Sequence, residues 1–120
     1  MKIAVSAQNG SMDAQVDPRF GRAKCFIVID AETGGFSAHD NAINLNATQG
    51  AGIQAAKNVA DLGVRGVITG HVGPKAYATL SAAGIEMYTG ASGTVRDALE
   101  AFRAGKLSKA EKANVDGHWI

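Results

Sequence analysis

The spacing of apolar residues changes character near the middle of this chain. Before residue 41, short apolar runs alternate with turn-forming segments, which is typical of strands, and residues 23–30 and 36–40 are joined by Glu32-Thr33-Gly34-Gly35 as a hairpin. After residue 50, apolar residues recur at helical spacing and each such stretch is followed by a strand-like run. The chain is therefore predicted to be an α/β protein whose early strands are antiparallel and whose later strands are parallel.

Cap signals place the predicted helices. Gly63 fits the end of the first helix, Pro74 the first position of the second, and Thr94 with Asp97 a capping box at the start of the third. The predicted strands are residues 2–7, 23–30, 36–40, 64–69 and 85–89. Because strand–helix–strand connections are right-handed and place strands in parallel, these elements predict a mixed five-stranded sheet of order 3-2-1-4-5 with three helices.

Composition limits the class of protein. The chain has 120 residues, of which 46% are hydrophobic and 19% charged, and a formal net charge of +1, so we expect one globular domain that binds neither nucleic acid nor a membrane. No apolar run approaches the roughly 20 residues of a membrane span, and the amino end lacks signal-peptide anatomy, which favours a cytoplasmic protein. We expect residues 1–105 to form the domain and residues 106–120 a mobile tail.

The predicted strand order reverses direction between strands one and four. Ligands of open α/β sheets bind at such a switch point, outside the carboxyl ends of the strands. Two unusual loops, residues 8–21 and 70–76, should converge there. We expect the first of them to be mobile without ligand, because it is long, polar and poor in anchoring apolar residues.

The first of these loops ends in Asp17-Pro18-Arg19-Phe20-Gly21-Arg22. Pro18 fixes its own φ and biases Asp17 toward extended geometry, while Gly21 permits a tight bend. Arg19 and Arg22 can thus be held in place, which suits an anion. An ordinary turn with solvated arginines is the alternative for these six residues.

Three segments carry a family resemblance. Asp17-Pro18-Arg19-Phe20-Gly21-Arg22, Gln49-Gly50-Ala51-Gly52 and Gly73-Pro74-Lys75-Ala76 together resemble the dinitrogenase iron-molybdenum cofactor-binding family, which includes NifX, the carboxyl-terminal domain of NifB and stand-alone orange-protein-type members. The resemblance implies a ribonuclease H-like three-layer fold. It also implies noncatalytic binding or carriage of an anionic metal–sulfide cluster, or its precursor, of the iron–molybdenum or molybdenum–copper type. A cofactor-assembly or acceptor protein would be the partner, and the isolated protein need not contain the cluster.

Such a cluster needs positive charge, oriented backbone N–H groups and at most one soft ligand. Arg19, Arg22 and Lys75 supply charge in this sequence. The predicted helix starts offer backbone N–H groups at three glycines, Gly50, Gly52 and Gly73.

Direct metal ligands are few in this sequence. His71 is the best candidate, with a loop histidine bonded to backbone as its alternative, and Met12 is a weaker one. Cys25 alternates with buried positions and reads as an inert thiol, and a site of four thiolates is impossible with this single cysteine. His39 is interpreted as a solvated edge residue, and His118 lies in the predicted tail.

Other functions fit less well. A two-metal nuclease needs converging acidic residues, and strand one offers none. An enzyme acting on a small phosphorylated substrate lacks a clear base paired with a nucleophile. A regulatory interaction module with a vestigial anion-binding crevice remains the alternative to cluster carriage.

Overall fold

The structure is a computed structural model, and the residues it describes are 1–41 and 50–113. The strands are β1 (Lys2–Ala7), β2 (Cys25–Asp30), β3 (Phe36–Asp40), β4 (Gly66–Ile68), β5 (Glu86–Thr89) and β6 (Ser108–Lys109). The helices are α1 (Ala51–Asp61), α2 (Pro74–Ala82) and α3 (Val95–Arg103). Gln49 of the second family segment and His118 lie outside the described residues.

The six strands form one mixed sheet of order β3-β2-β1-β4-β5-β6. β2 is antiparallel to both β1 and β3, whereas β4 runs parallel to β1 and β5 parallel to β4. The predicted α/β class, the hairpin and the order of the first five strands are confirmed.

The prediction of five strands is wrong, because the sheet has a sixth. β6 pairs antiparallel with the end of β5, and the amide of Ala110 donates a 2.7 Å hydrogen bond to the carbonyl of Met87. This strand is two exposed residues long, so it has no apolar alternation from which to be predicted. It falls within the segment predicted as a mobile tail, of which residues 114–120 lie outside the described part of the chain.

Helices cover both faces of the sheet and make three layers. α1 and α2 pack on one face, where Ala56, Val59 and Leu80 join Ala4 and Phe26 in an apolar cluster. α3 packs on the other face. Successive residues of β1 point to opposite faces, so that Ile3, Val5 and Ala7 lie on the α3 side. The sheet is therefore buried on both sides in its centre, which fixes the positions of the strand ends.

The loop from β1 to β2 is well anchored. We expected few anchoring apolar residues in this loop, and that reason for predicting mobility is wrong, because it buries Met12, Ala14, Val16 and Phe20. Backbone hydrogen bonds also tie the loop to the region of α3: the amide of Val16 donates to the carbonyl of Gly93, and the amide of Val95 to that of Ala14, both at 2.9 Å.

Candidate functional site

The parallel strands β1 and β4 are neighbours, so their carboxyl ends open at the same edge of the sheet. The segment 17–22 and the segment 69–75 meet at this edge, and we call the space between them the β1/β4 crevice. The amide of His71 donates a 2.8 Å hydrogen bond to the carbonyl of Pro18, and the amide of Phe20 donates a 3.3 Å bond to the carbonyl of His71. Arg19 and His71 thereby form a parallel β-bridge. The predicted convergence of the two loops is confirmed.

Gly70 allows this close approach. A Cβ atom at this position would lie 2.7 Å from the Cα and 2.9 Å from the carbonyl oxygen of Pro18, both of them backbone atoms that cannot turn aside. Any larger residue at position 70 would push the two loops apart and weaken the bridge between Arg19 and His71.

Asp17 orients the arginine. This aspartate is only 3% exposed, and its Oδ1 accepts a 3.0 Å hydrogen bond from the amide of Arg19. Asp residues favour such turns, in which the side chain binds the backbone N–H group two residues further along the chain. The same oxygen lies 3.7 Å from Nε of Arg19, whose side chain is 41% exposed. The backbone and guanidinium of Arg19 are thus both held by one buried carboxylate while the side chain still reaches solvent.

A buried serine that also contacts Thr69 holds Asp17 in turn. Oγ of Ser6, at the end of β1, lies 2.6 Å from the carbonyl oxygen of Asp17 and 2.7 Å from Oγ1 of Thr69, just after β4. The amide of Asp17 also donates a 2.8 Å bond to the carbonyl of Ser6. These contacts connect the ends of both strands to the arginine corner.

The first turns of α1 and α2 lie side by side at the crevice. A Cβ on Gly21 would lie 2.8 Å from Cα of Gly52, and a Cβ on Gly52 would lie 3.2 Å from Cβ of Ala76. Arg22 follows Gly21 and Lys75 precedes Ala76. Both cationic residues therefore adjoin the place where Gly21, Gly52 and Ala76 pack together. Arg22 is half-buried and Lys75 is exposed.

The helix starts differ in how they are capped. α3 has a capping box, in which Oγ1 of Thr94 accepts a 3.0 Å bond from the amide of Asp97 and the Asp97 carboxylate accepts a 3.2 Å bond from the amide of Thr94. α1 and α2 begin after Gly50 and Gly73, neither has a side-chain cap, and neither carries an acidic residue in its first turn. Within residues 1–41 and 50–113, these two helix starts therefore have no capping side chain, and their first N–H groups and positive dipole ends favour an anion.

The remaining predicted residues lie elsewhere. Met12 is 7% exposed and packs in the apolar cluster on the α3 face, and none of its described contacts joins it to Arg19 or His71. Nε2 of His39 lies 2.8 Å from Oγ of Ser37 on β3.

Cys25 is buried, as predicted. Its Sγ lies 3.7 Å from the carbonyl oxygen of Ala7. Burial, and then the charges of Asp40 and Asp17, raise the pKa of the thiol.

Among residues 1–41 and 50–113, no three side chains of the His, Cys, Asp and Glu types come together to hold a metal ion. Protein-only chelation therefore has no basis in this part of the chain. Within the same two ranges, no helix is both long and apolar enough to cross a membrane.

Comparison with known proteins decides the family. The sequence profile described as dinitrogenase iron-molybdenum cofactor matches residues 1–105. The chain belongs to this family.

Solved structures of similar proteins agree with this membership. The apo form of the orange protein from Desulfovibrio gigas is 42% identical, with 95% of this chain and 96% of that chain covered and a TM-score of 0.92. The NMR structure of a Thermotoga protein proposed to be NifB is 30% identical, with 97% and 98% covered and a TM-score of 0.84. An uncharacterized protein of Methanocaldococcus jannaschii is 31% identical over 113 residues, or 92% of each chain.

The family segments account for Arg19, Lys75 and the glycines of the crevice, but sequence reasoning missed the supporting polar residues. Ser6, Asp17 and Thr69 are buried and act beneath the site. Ser6 has a sequence signal as a serine inside a largely apolar strand, and Asp17 as an aspartate two residues before the arginine it binds, whereas Thr69 has none.

Proposed function

We propose that this protein binds and carries an anionic metal–sulfide cluster, or its precursor, in the β1/β4 crevice without transforming it chemically. The observation that carries the proposal is the backbone pairing of Arg19 with His71, which holds a cation and an imidazole-bearing residue at the switch point of the sheet. Membership in the dinitrogenase iron-molybdenum cofactor family supports the class of ligand.

The chemistry of the crevice fits a bulky soft anion. Arg19, Arg22 and Lys75 would neutralise its charge, and the starts of α1 and α2, at Gly50, Gly52 and Gly73, would donate N–H groups to its sulfides. Because the described residues contain no set of three metal ligands, we propose noncovalent holding supplemented by one bond from His71. Met12 is not included in this site.

A carrier role also fits the described residues of the crevice, among which no general base is paired with a nucleophile. The groups assembled there are cations, amides and one imidazole, and Asp17 is engaged with Arg19 instead of facing a nucleophile. We propose that the cargo contains molybdenum, iron or both, with copper as a further component of the molybdenum type. A cofactor-assembly or acceptor protein would receive it, in the cytoplasm, without nucleic acid or membrane.

The decisive experiment is cluster retention. The protein is incubated anaerobically with tetrathiomolybdate and copper(I), and separately with iron and sulfide, then desalted and analysed for metal content and absorption spectrum. The wild type should retain a stoichiometric chromophore from one mixture. The double variant Arg19→Ala/Arg22→Ala should retain at least about tenfold less, because two charge-assisted contacts are lost.

Matched controls separate charge at the site from charge in general. Arg65 and Arg103 lie at the opposite end of the sheet, so Arg65→Ala/Arg103→Ala removes the same charge and should retain the cluster. Lys75→Ala should weaken retention, whereas Lys57→Ala, also exposed and also helical, should not. Equal retention in the crevice variants and their controls would refute the site, and no retention by the wild type would favour the interaction module.

A further inference from the structure

Ser6 binds the backbone of Asp17 on both sides. The amide of Asp17 donates a 2.8 Å hydrogen bond to the carbonyl of Ser6, and the carbonyl of Asp17 accepts a 2.6 Å bond from the Ser6 hydroxyl. The peptide unit that follows Asp17 has no N–H group, because its nitrogen belongs to Pro18. Only the carbonyl of this peptide unit can form a backbone hydrogen bond, so the Ser6 hydroxyl fixes the orientation of the peptide plane.

The hydrogen bonds between Ser6, Thr69 and Asp17 have a fixed direction. Oγ of Ser6 lies 2.6 Å from the carbonyl oxygen of Asp17 and 2.7 Å from Oγ1 of Thr69. A hydroxyl group carries one hydrogen, and a carbonyl oxygen can only accept. The Ser6 hydrogen therefore goes to Asp17, and the Thr69 hydroxyl donates to Oγ of Ser6. Both residues are completely buried, so bulk water does not compete for these bonds. We call this series of two bonds the hydroxyl chain.

The hydroxyl chain is part of a closed ring of contacts. The carbonyl of Pro18 accepts a 2.8 Å hydrogen bond from the amide of His71, which lies two residues after Thr69. The ring thus runs from Ser6 to Asp17 and Pro18, crosses to His71, and returns along the chain to Thr69 and across to Ser6. The carbonyls on the two sides of the proline are both fixed, one by β1 and the other by the segment that follows β4.

We propose that Ser6 and Thr69 are positioning residues for anion binding, and that the hydroxyl chain sets the position of Arg19 before any cargo binds. The amide and Nε of Arg19 lie 3.0 and 3.7 Å from Oδ1 of Asp17. Fixing the backbone of Asp17 therefore fixes the carboxylate that holds the arginine. A site arranged in advance binds more tightly, because less ordering is needed on binding. This proposal rests on the proposed function of the β1/β4 crevice.

The direction of the hydroxyl chain predicts an order of effects on cluster retention. Ser6→Ala removes both hydroxyl contacts and should weaken retention by about two- to tenfold, the equivalent of one net hydrogen bond. Thr69→Val removes only the first donor and leaves Ser6 bonded to Asp17, so its effect should be smaller. In the Ser6→Ala background, Thr69→Val should add little, because the bond it removes is already lost. Thr69→Ser keeps the donor and should retain nearly as much cluster as the wild type.

NMR spectra of the protein without cargo test the hydroxyl chain independently of any cluster. The amide of Arg19 is bonded to the carboxylate of Asp17, so its nitrogen–proton signal reports the geometry of this contact. Ser6→Ala and Thr69→Val should shift this signal and that of Nε, and Thr69→Ser should shift them less. Ile85→Val is the control for lost stability, because it shortens a buried side chain at the opposite end of the sheet, and it should leave both signals in place.

Retention is then measured with the tetrathiomolybdate–copper(I) and iron–sulfide mixtures, well below the unfolding temperature of every variant. Weaker retention by Ser6→Ala and Thr69→Val, beside full retention by Ile85→Val, supports the proposal, and Thr69→Val decides it if Ser6→Ala does not fold. Unshifted Arg19 signals, or retention equal to the wild type in both hydroxyl variants, would overturn the positioning role alone. A wild type that retains no cluster would overturn the proposed function, and with it the role of these residues in anion binding.

Discussion

Gly21 and Gly52 approach so closely that a Cβ atom on Gly21 would lie 2.8 Å from Cα of Gly52. The loop that carries Arg19 and Arg22 therefore rests directly on the backbone of the first turn of α1. This contact has no side chain that could rotate away, so the position of the arginines relative to the helix start depends on the absence of a methyl group.

Gly21→Ala should lower the free energy of unfolding by about 1–3 kcal/mol, because one of two backbones must move. It should also weaken cluster retention, since the movement separates the arginines from α1. Urea denaturation and the retention assay measure the two effects. Gly35→Ala is the control, because a Cβ there meets nothing closer than 3.4 Å and its stability should change little. Equal effects of the two substitutions would contradict the packing argument.

Asp17 should act by positioning Arg19 and not through its charge toward the ligand. Asp17→Ala leaves the amide of Arg19 without its acceptor and should cost about 1–3 kcal/mol of stability and weaken retention. Asp17→Asn keeps an acceptor oxygen and removes one negative charge near the anion, so its retention should at least equal that of the wild type. Denaturation curves and thiomolybdate titrations distinguish the variants. Weaker retention by Asp17→Asn than by Asp17→Ala would show that this interpretation is wrong.

Cluster retention should fall as ionic strength rises. The Debye length shortens from about 10 Å at 0.1 M salt to about 3 Å at 1 M, which screens exposed cations such as Lys75. Desalting the loaded protein at a series of potassium chloride concentrations measures this dependence, and Lys75→Ala should show a shallower slope than Lys57→Ala. Retention that is independent of salt would indicate that bonds to the metal dominate over charge.

The Cys25 thiol should be unreactive in the folded protein. Its pKa is raised above the ordinary value of 9.0, chiefly by burial, so less thiolate forms at pH 8 than in a free cysteine. Iodoacetamide should therefore alkylate the native protein far more slowly than the urea-unfolded protein. Above pH 9 the unfolded thiol loses its proton before the folded one, so the free energy of unfolding should fall as pH rises. Alkylation at equal rates would contradict the burial of this thiol.

Sequence patterns were sufficient for elements whose residues act locally. The cap residues Gly63, Pro74 and Thr94 predicted helix ends that the structure confirms, because a cap is satisfied by its own helix. The first five strands followed from apolar alternation. β6 was not predicted, because its two exposed residues pair with β5 through backbone hydrogen bonds. Such bonds do not require any pattern of apolar side chains.

Part of the candidate site could also be predicted from the sequence, and part could not. The meeting of the Arg19 and His71 loops followed from strand order, which is a consequence of chain connectivity. The hydroxyl contact between Ser6 and Thr69 joins residues 63 positions apart, and no local signal specifies such a pair. Met12 is a weak ligand candidate from sequence because a mobile loop could bring its thioether to a soft metal, but the loop packs against the region of α3 and buries the thioether.

The contact of Gly52 with Ala76 puts two helix dipoles with their positive poles side by side. Each pole is equivalent to roughly half an elementary charge, and like poles repel. Arg19 and Lys75 add positive charge to these two helix starts, so in the protein without cargo the like charges repel one another. Binding of a small oxyanion would reduce this repulsion. Sulfate or molybdate should therefore raise the melting temperature before any sulfide cluster is assembled, and the cargo in turn would help to hold its carrier in the folded state.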